Sequence, residues 1–436
     1  MTVQPRYPSP ASSDRQPGSH PEIRIAQPAI ARPATAAVRA GLCRDSQHGA
    51  VVPPLHLSSN FTFAGFAQPR PYDYTRSGNP TRDLLGEALA EAEGGYGAVI
   101  TSTGMSAVAL VLQLLQPGDL LVAPFDCYGG CHRLFSALAR KGDLRLLFAD
   151  LSDPIERGQA LAKKPRMVWL ETPSNPLLRI TDIAAVAAAA TEHGALVVAD
   201  NTFLSPVWQR PLELGADIVV HSTTKYLNGH SDVVGGAVIA KDKSLHENLA
   251  WWANCVGLTG APFDSYLTLR GLRTLHARLR VHEENTQAVV ELLQEHPAVE
   301  KIYWPGLPEH PGHQLAGQQQ KGFGAMVSCE IAGGAPAVKA LVEGLEHFAL
   351  AESLGGVESL IAHPATMTHA SMDPEARLLA GIGEGLLRLS IGIEDPADLV
   401  ADLERGLDRA LAAMTNHLAL AGSSAARDFG GILAGV

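Results

Sequence analysis

Six short apolar runs, Ala98–Thr101, Leu120–Ala123, Leu144–Phe148, Met167–Leu170, Leu196–Ala199 and Ile218–Val220, are separated by stretches of different period. Met105–Leu115, His132–Ala139, Ile183–His193 and Trp208–Leu214 read as helices between them. A run of four or five apolar residues without alternation belongs to a strand buried on both faces. Runs of this kind that alternate with helices predict a mostly parallel sheet covered by helices on each side. After residue 255 the rhythm breaks. A long helical stretch, Phe263–Gln294, precedes Pro297, and no steady alternation follows. A second, α+β domain is expected there.

Composition excludes several classes. A formal charge of -11 without a basic run argues against nucleic acid as a partner. No stretch of 18 or more apolar residues is present, so no membrane span is expected. The five cysteines are odd in number and mostly scattered, which suits a reducing cytoplasm better than a disulfide framework. Cys127 and Cys131 lack a second ligand pair at finger spacing, so no metal site is expected. Residues 1–35, with seven prolines and four arginines, read as a disordered tail without the apolar core of a secretory signal. The small-residue-rich end, 417–436, reads as a flexible tail.

The chain lacks a strict GxGxxG, a GK[ST] phosphate loop, HExxH and GxSxG. Dinucleotide dehydrogenases, P-loop enzymes, zincins and ordinary α/β-hydrolases thereby lose their main signatures. Polar residues gather instead where the parallel strands should end: Asp126 and Tyr128; Glu171, Ser174 and Asn175; Asp200, Asn201 and Thr202; Ser222, Thr224 and Lys225. Open α/β sheets bind ligands at the carboxyl ends of their strands. A desolvated Lys225 would have a lowered pKa and could form a Schiff base. Ser222 and Thr224 suit an anion, as does the helix start behind Thr103 and Gly104. Asp200 suits a buried cation. Lysine, phosphate site and aspartate together describe pyridoxal phosphate.

At VVPPLHLSSNFTF (51–63), DYTRSGNPTRD (73–83), STGMSA (102–107), DCYGG (126–130), ETPSNPLLR (171–179), DNTFLSP (200–206), HSTTKYLNGHSDVVGG (221–236), QQKGFGAM (319–326), AESLGGVESLIAHPATMTHA (351–370) and RLSIGIED (388–395), the chain resembles the Cys/Met-metabolism family of pyridoxal-phosphate enzymes. The resemblance covers about residues 35–415. It implies PLP fold type I, the aspartate-aminotransferase-like fold, with a mostly parallel seven-stranded sheet and a smaller α+β C-terminal domain. The expected divisions are an arm over 36–85 that reaches a partner subunit, a cofactor domain over 86–285 and a C-terminal domain over 286–416.

The roles implied are specific. Lys225 holds the cofactor and moves protons, Asp200 pairs with the ring nitrogen and Tyr128 stacks on the ring. Gly104, Met105, Ser222 and Thr224 hold the phosphate, with Tyr74 and Arg76 reaching it from a neighbouring subunit. Asn175 lies near the phenolic oxygen of the ring. Arg388 and Ser353 take the substrate α-carboxylate, and Glu352 orients the incoming amino acid. Ser77 stands where close synthases often carry arginine for a succinyl carboxylate, leaving Arg133 for that task. Gly130 stands where methionine γ-lyases tend to carry cysteine. The implied activity is γ-replacement of O-acylhomoserine, the O-succinyl ester first, by cysteine to give cystathionine. Cystathionine or methionine γ-lyase, O-acylhomoserine sulfhydrylase and an idle cofactor-binding protein are the alternatives. A cytoplasmic homotetramer built from dimers with shared active sites is implied.

Overall fold

The computed structural model describes residues 31–370 and 374–430, the last helix from 416 onward by its backbone alone. The chain opens with α1 (Pro33–Arg39) and α2 (Pro80–Glu93). There follow β1 (Gly97–Thr101), α3 (Gly104–Leu112), β2 (Leu120–Pro124), α4 (Gly129–Lys141), β3 (Arg145–Ala149), α5 (Pro154–Leu161), β4 (Met167–Glu171), α6 (Ile183–Thr191), β5 (Leu196–Asp200), α7 (Ser205–Trp208), β6 (Ile218–Ser222) and β7 (Gly236–Ala240). Then come α8 (Lys243–Val256), α9 (Pro262–Leu272), α10 (Leu275–Glu295), β8 (Val299–Tyr303), α11 (His313–Gln319), β9 (Met326–Ile331) and α12 (Gly334–Val342). The chain finishes with β10 (Ala349–Leu350), β11 (Leu360–Ala362), α13 (Pro374–Leu379), β12 (Leu386–Ser390) and α14 (Pro396–Gly430).

The six apolar runs are all strands. With β7 they form a seven-stranded sheet of order β1-β7-β6-β5-β4-β2-β3, in which only β7 pairs antiparallel. Side chains alternate across it. Trp169, Val198 and Val220 pack under α3, α4 and α8, whereas Leu170, Ala199 and Val219 pack under α2, α5, α6 and the start of α10. Short polar side chains start several of these helices. Asn79 accepts the N–H groups of Thr81 and Arg82, and Thr103, Asp153, Asp182 and Asp242 cap α3, α5, α6 and α8. A second sheet, order β10-β11-β12-β9-β8, is antiparallel except for β10 with β11. It is covered by α12, α14 and the back half of α10.

Several expectations need correction. The helix expected over Trp208–Leu214 does not form: the single-turn α7 ends at Trp208, and turns follow from Pro211, which lacks the N–H a continuing helix would need. The long stretch Phe263–Gln294 breaks at Arg273 and Thr274 into two helices. The boundaries expected at 85/86 and 285/286 fall inside α2 and α10. Residues 33–35 of the expected tail are helical, and residues 1–30 lie outside the described residues. At the other end α14 stays helical through Gly430, in keeping with its many alanines and leucines, so 417 does not mark its end.

Candidate active site

Register aligns the polar strand ends. Glu171 of β4 stands beside Asp200 of β5, and Asp200 beside Val220 of β6. Beyond β6 the chain turns, and Lys225 Nζ donates to Ser353 Oγ at 2.8 Å. Burial pushes the Lys225 amine down to about 8, and the Arg388 charge adds to this against the opposing pull of Glu352. Ser353 holds a φ of 92°, a conformation uncommon outside glycine.

Arg388, on β12 of the second sheet, is 3% exposed. Its Nη1 donates to Asn175 Oδ1 at 3.0 Å and its Nη2 to the Ser353 carbonyl at 2.9 Å. Its Nε is buried without a partner. Glu394 is bound elsewhere, to Ser359. Burial lowers the guanidinium to about 10. A carboxylate would meet both the charge and the idle donor.

On the first sheet, Asp200 accepts the Thr202 N–H at 3.0 Å. Burial raises its carboxyl, and Thr202 and His221 only partly offset that. Tyr128 starts α4 without a side-chain cap, and its ring is 44% exposed. Burial and Cys131 raise its phenol, Arg133 lowers it and Glu352 raises it, so both charges stand near the ring. Arg133 and Glu352 are themselves exposed. A Cβ on Gly130 would lie 2.5 Å from Tyr128 Cε1 and 2.9 Å from Met105 Sδ, so any side chain there would have to push the ring or the thioether aside.

Gly104 opens α3 directly against β6. A Cβ there would lie 2.9 Å from Ser222 Cβ and 3.1 Å from its Oγ. The helix start and its N–H groups therefore abut the Ser222 hydroxyl, a cradle for an anion. The Thr224 hydroxyl also engages Gly235, donating to its carbonyl at 3.2 Å and accepting its N–H at 3.0 Å.

Not every expected residue is gathered by the chain's own contacts. Arg76 Nη1 is held by Asn254 on α8, by the carbonyl at 2.7 Å and Oδ1 at 2.8 Å. Tyr74, half exposed, lies under that guanidinium. Both belong to the arm, and Arg76 and Ser77 line a cavity of about 580 Å³ between α2, β1 and α8. Ser77 Oγ ties the loop internally to Asp73 and to the Tyr74 carbonyl. Two strand-end residues are structural. Asp126 pairs with Arg179 at 2.6 Å, and buried Asn201 bonds Glu93 and the Gln209 carbonyl. Glu171 was given no role by the sequence. It accepts the Tyr128 N–H at 2.7 Å, and its place in register with Asp200 is the signal that marks it.

The sequence pattern of the Cys/Met metabolism PLP-dependent enzymes matches residues 34–408. The chain belongs to this family. It is 61% identical over 374 residues to the cystathionine gamma-synthase of Escherichia coli K12, covering 86% of this chain and 97% of the relative. A cystathionine gamma-lyase of Dictyostelium discoideum is 44% identical over 391 residues, covering 88% and 100%. The solved cystathionine gamma synthase of Xanthomonas oryzae pv. oryzae, in complex with cystathionine, superposes with a TM-score of 0.88 at 66% identity, covering 88% and 100%.

Family membership makes pyridoxal phosphate the cofactor, and the residues fit it. An amine of lowered proton affinity, a half-buried carboxyl with a raised pKa, and a helix start closed to any Cβ meet at one end of the sheet. Among the described residues no group of three or more His, Cys, Asp or Glu could hold a metal ion, and no helix is long and apolar enough to cross a membrane.

Proposed function

We propose that this enzyme replaces the γ-acyl group of O-acylhomoserine by cysteine, forming cystathionine and releasing the acid. One observation carries the reading. Lys225 Nζ lies 2.8 Å from Ser353 Oγ, and the carbonyl of that same serine accepts from Arg388 at 2.9 Å, so a base and a carboxylate fork are joined through one residue.

The proposed roles follow from position. Gly104, Met105, Ser222 and Thr224 hold the phosphate, Asp200 the ring nitrogen and Tyr128 the ring face, with Asn175 beside the phenolic oxygen. Bound there, pyridoxal phosphate supplies an electron sink for charge at the substrate Cα and Cβ. Arg388 and Ser353 fix the α-carboxylate, and Asn175 orients the Arg388 fork. Lys225 takes the Cα proton and then serves Cβ, its amine able to be neutral near physiological pH. The Cγ–O bond breaks, the acyl carboxylate leaves, and the cysteine sulfur bonds to Cγ. Lys225 then returns protons to carbon. Glu352 orients the incoming cysteine. Arg133 at the ring edge receives the far carboxylate of a succinyl ester.

The relatives named for synthase activity support replacement over elimination, and Gly130 counts against lyase chemistry on methionine. Tyr74 and Arg76, the latter held by Asn254 on α8, are assigned to the phosphate of a second copy, in a cytoplasmic homotetramer of such dimers. The test is a product assay with O-succinylhomoserine, with and without cysteine, and separately with cystathionine. Cystathionine formation faster than 2-oxobutyrate release is expected. Faster 2-oxobutyrate release from cystathionine would make the enzyme a lyase.

A further inference from the structure

Glu171 is 6% exposed at the end of β4. Its register partner is Asp200, one strand spacing away at about 4.8 Å. Trp169 and Val198, two residues before each, share the face under α3 and α4, so both carboxyls rise on that face. Glu171 Oε2 accepts the Tyr128 N–H at 2.7 Å, and the main-chain N–H of Asn175 stands near enough to pull the carboxyl down. One side chain thus ties the loop after β2, which carries the ring-stacking tyrosine, to the loop after β4, which carries the partner of Arg388. The acidic groups facing it are Asp200 and Asp126, and Arg179 is already spent on Asp126 at 2.6 Å. Two carboxyls side by side on neighbouring strands resist ionising together. Burial first, and Asp200 next, drive the Glu171 carboxyl well above the usual range, whereas Asp200 is drawn back by Thr202 and His221.

We infer that Glu171 is a positioning residue: it clasps the main chain of Tyr128 and Asn175 and keeps the single proton of the Glu171–Asp200 pair, so that the negative charge stays on Asp200. The inference rests on the pyridoxal-phosphate reading of the site. Its test titrates cofactor-free protein with pyridoxal phosphate, following the visible band of the lysine-bound cofactor, and measures kcat and KM alongside. Glu171→Gln keeps an acceptor and carries no charge; it should bind within about threefold of wild type with the same band. Glu171→Met fills the volume without an acceptor; it should bind about tenfold more weakly and lose kcat more than KM. A glutamine variant as damaged as the methionine variant would mean that the charge is what is used, and would overturn the proton assignment. A methionine variant with wild-type affinity would overturn the clasp. Should the methionine variant fail to fold, the glutamine arm decides. A wild-type protein that develops no visible band would sink the functional reading instead.

Discussion

Two aspartates, one in each half of the molecule, are treated in opposite ways. Asp402 on α14 is 0% exposed, yet its carboxylate accepts the N–H groups of Glu346, His347 and Phe348 and a donor from Arg405. Burial pushes its carboxyl up, but those donors outweigh it and hold the group below its usual range. Asp200, at the end of β5, has Thr202 and little else, and burial wins. A carboxylate supplied by its own chain is a fastener. One left short of positive charge is waiting for a cation from outside, here the ring nitrogen of the cofactor.

That contrast can be broken at several points. The largest effect is expected at Lys225, the group that works beside Asp200. Lys225→Ala should lower turnover by about 10⁴ or more and abolish the visible band, with an unchanged circular dichroism spectrum. Substantial turnover with the band retained would remove Lys225 from the chemistry.

Asp200→Asn comes next. At an effective dielectric of 20, two unit charges 4 Å apart are worth about 4 kcal/mol, roughly 10³ in rate. Single-turnover Cα–H exchange measures it. The melting temperature of the cofactor-free protein should stay level or rise, because a carboxyl with a raised pKa costs stability when ionised at neutral pH. Asp402→Ala should show the reverse: a loss of about 3 kcal/mol in urea unfolding, with activity per folded molecule unchanged. Its wild-type contribution is present above the unfolded carboxyl value and disappears as pH falls through the lowered folded one. Equal losses of activity in both variants would erase the distinction.

Gly130→Ala probes the ring side of the Asp200 site. The added Cβ must displace Tyr128 or Met105, and cofactor affinity in a titration should fall about tenfold. The smallest effect is read from pH. Labelling of Lys225 by an aldehyde reagent in the cofactor-free protein should rise with pH to a midpoint at about 8, since only the neutral amine reacts. A midpoint near that of a surface lysine would mean that the amine is not desolvated.

The Asp200 side of the contrast could be read from the sequence and the Asp402 side could not. Lys225, Asp200 and Ser222 follow continuous apolar runs, and a parallel strand buried on both faces leaves that signature locally. β7 carries such a run too, but it follows a glycine-rich loop and went unread among the six. The donors to Asp402 come from a turn more than 50 residues away. The place of Arg388 beside Asn175 spans 213 residues. Glu171 gained its meaning only when register set it beside Asp200. Partners of that kind depend on sheet order, which no local period encodes. The shared-subunit roles of Tyr74 and Arg76 rest on resemblance; within the chain Arg76 is held by Asn254 on α8 and Tyr74 by the arm itself.

Helix α10 has its front half, Leu275 and Leu279, in the core of the first sheet and its back half, Val289, Val290 and Leu293, in the core of the second. For anyone recombining relatives of this enzyme, that makes residue 285 a natural crossover: each half-helix would stay with the core of its own parent. A crossover at Arg273–Thr274, between α9 and α10, would pass the helix on whole but set Leu275, Arg278, Leu279 and His282 against the other parent's first core.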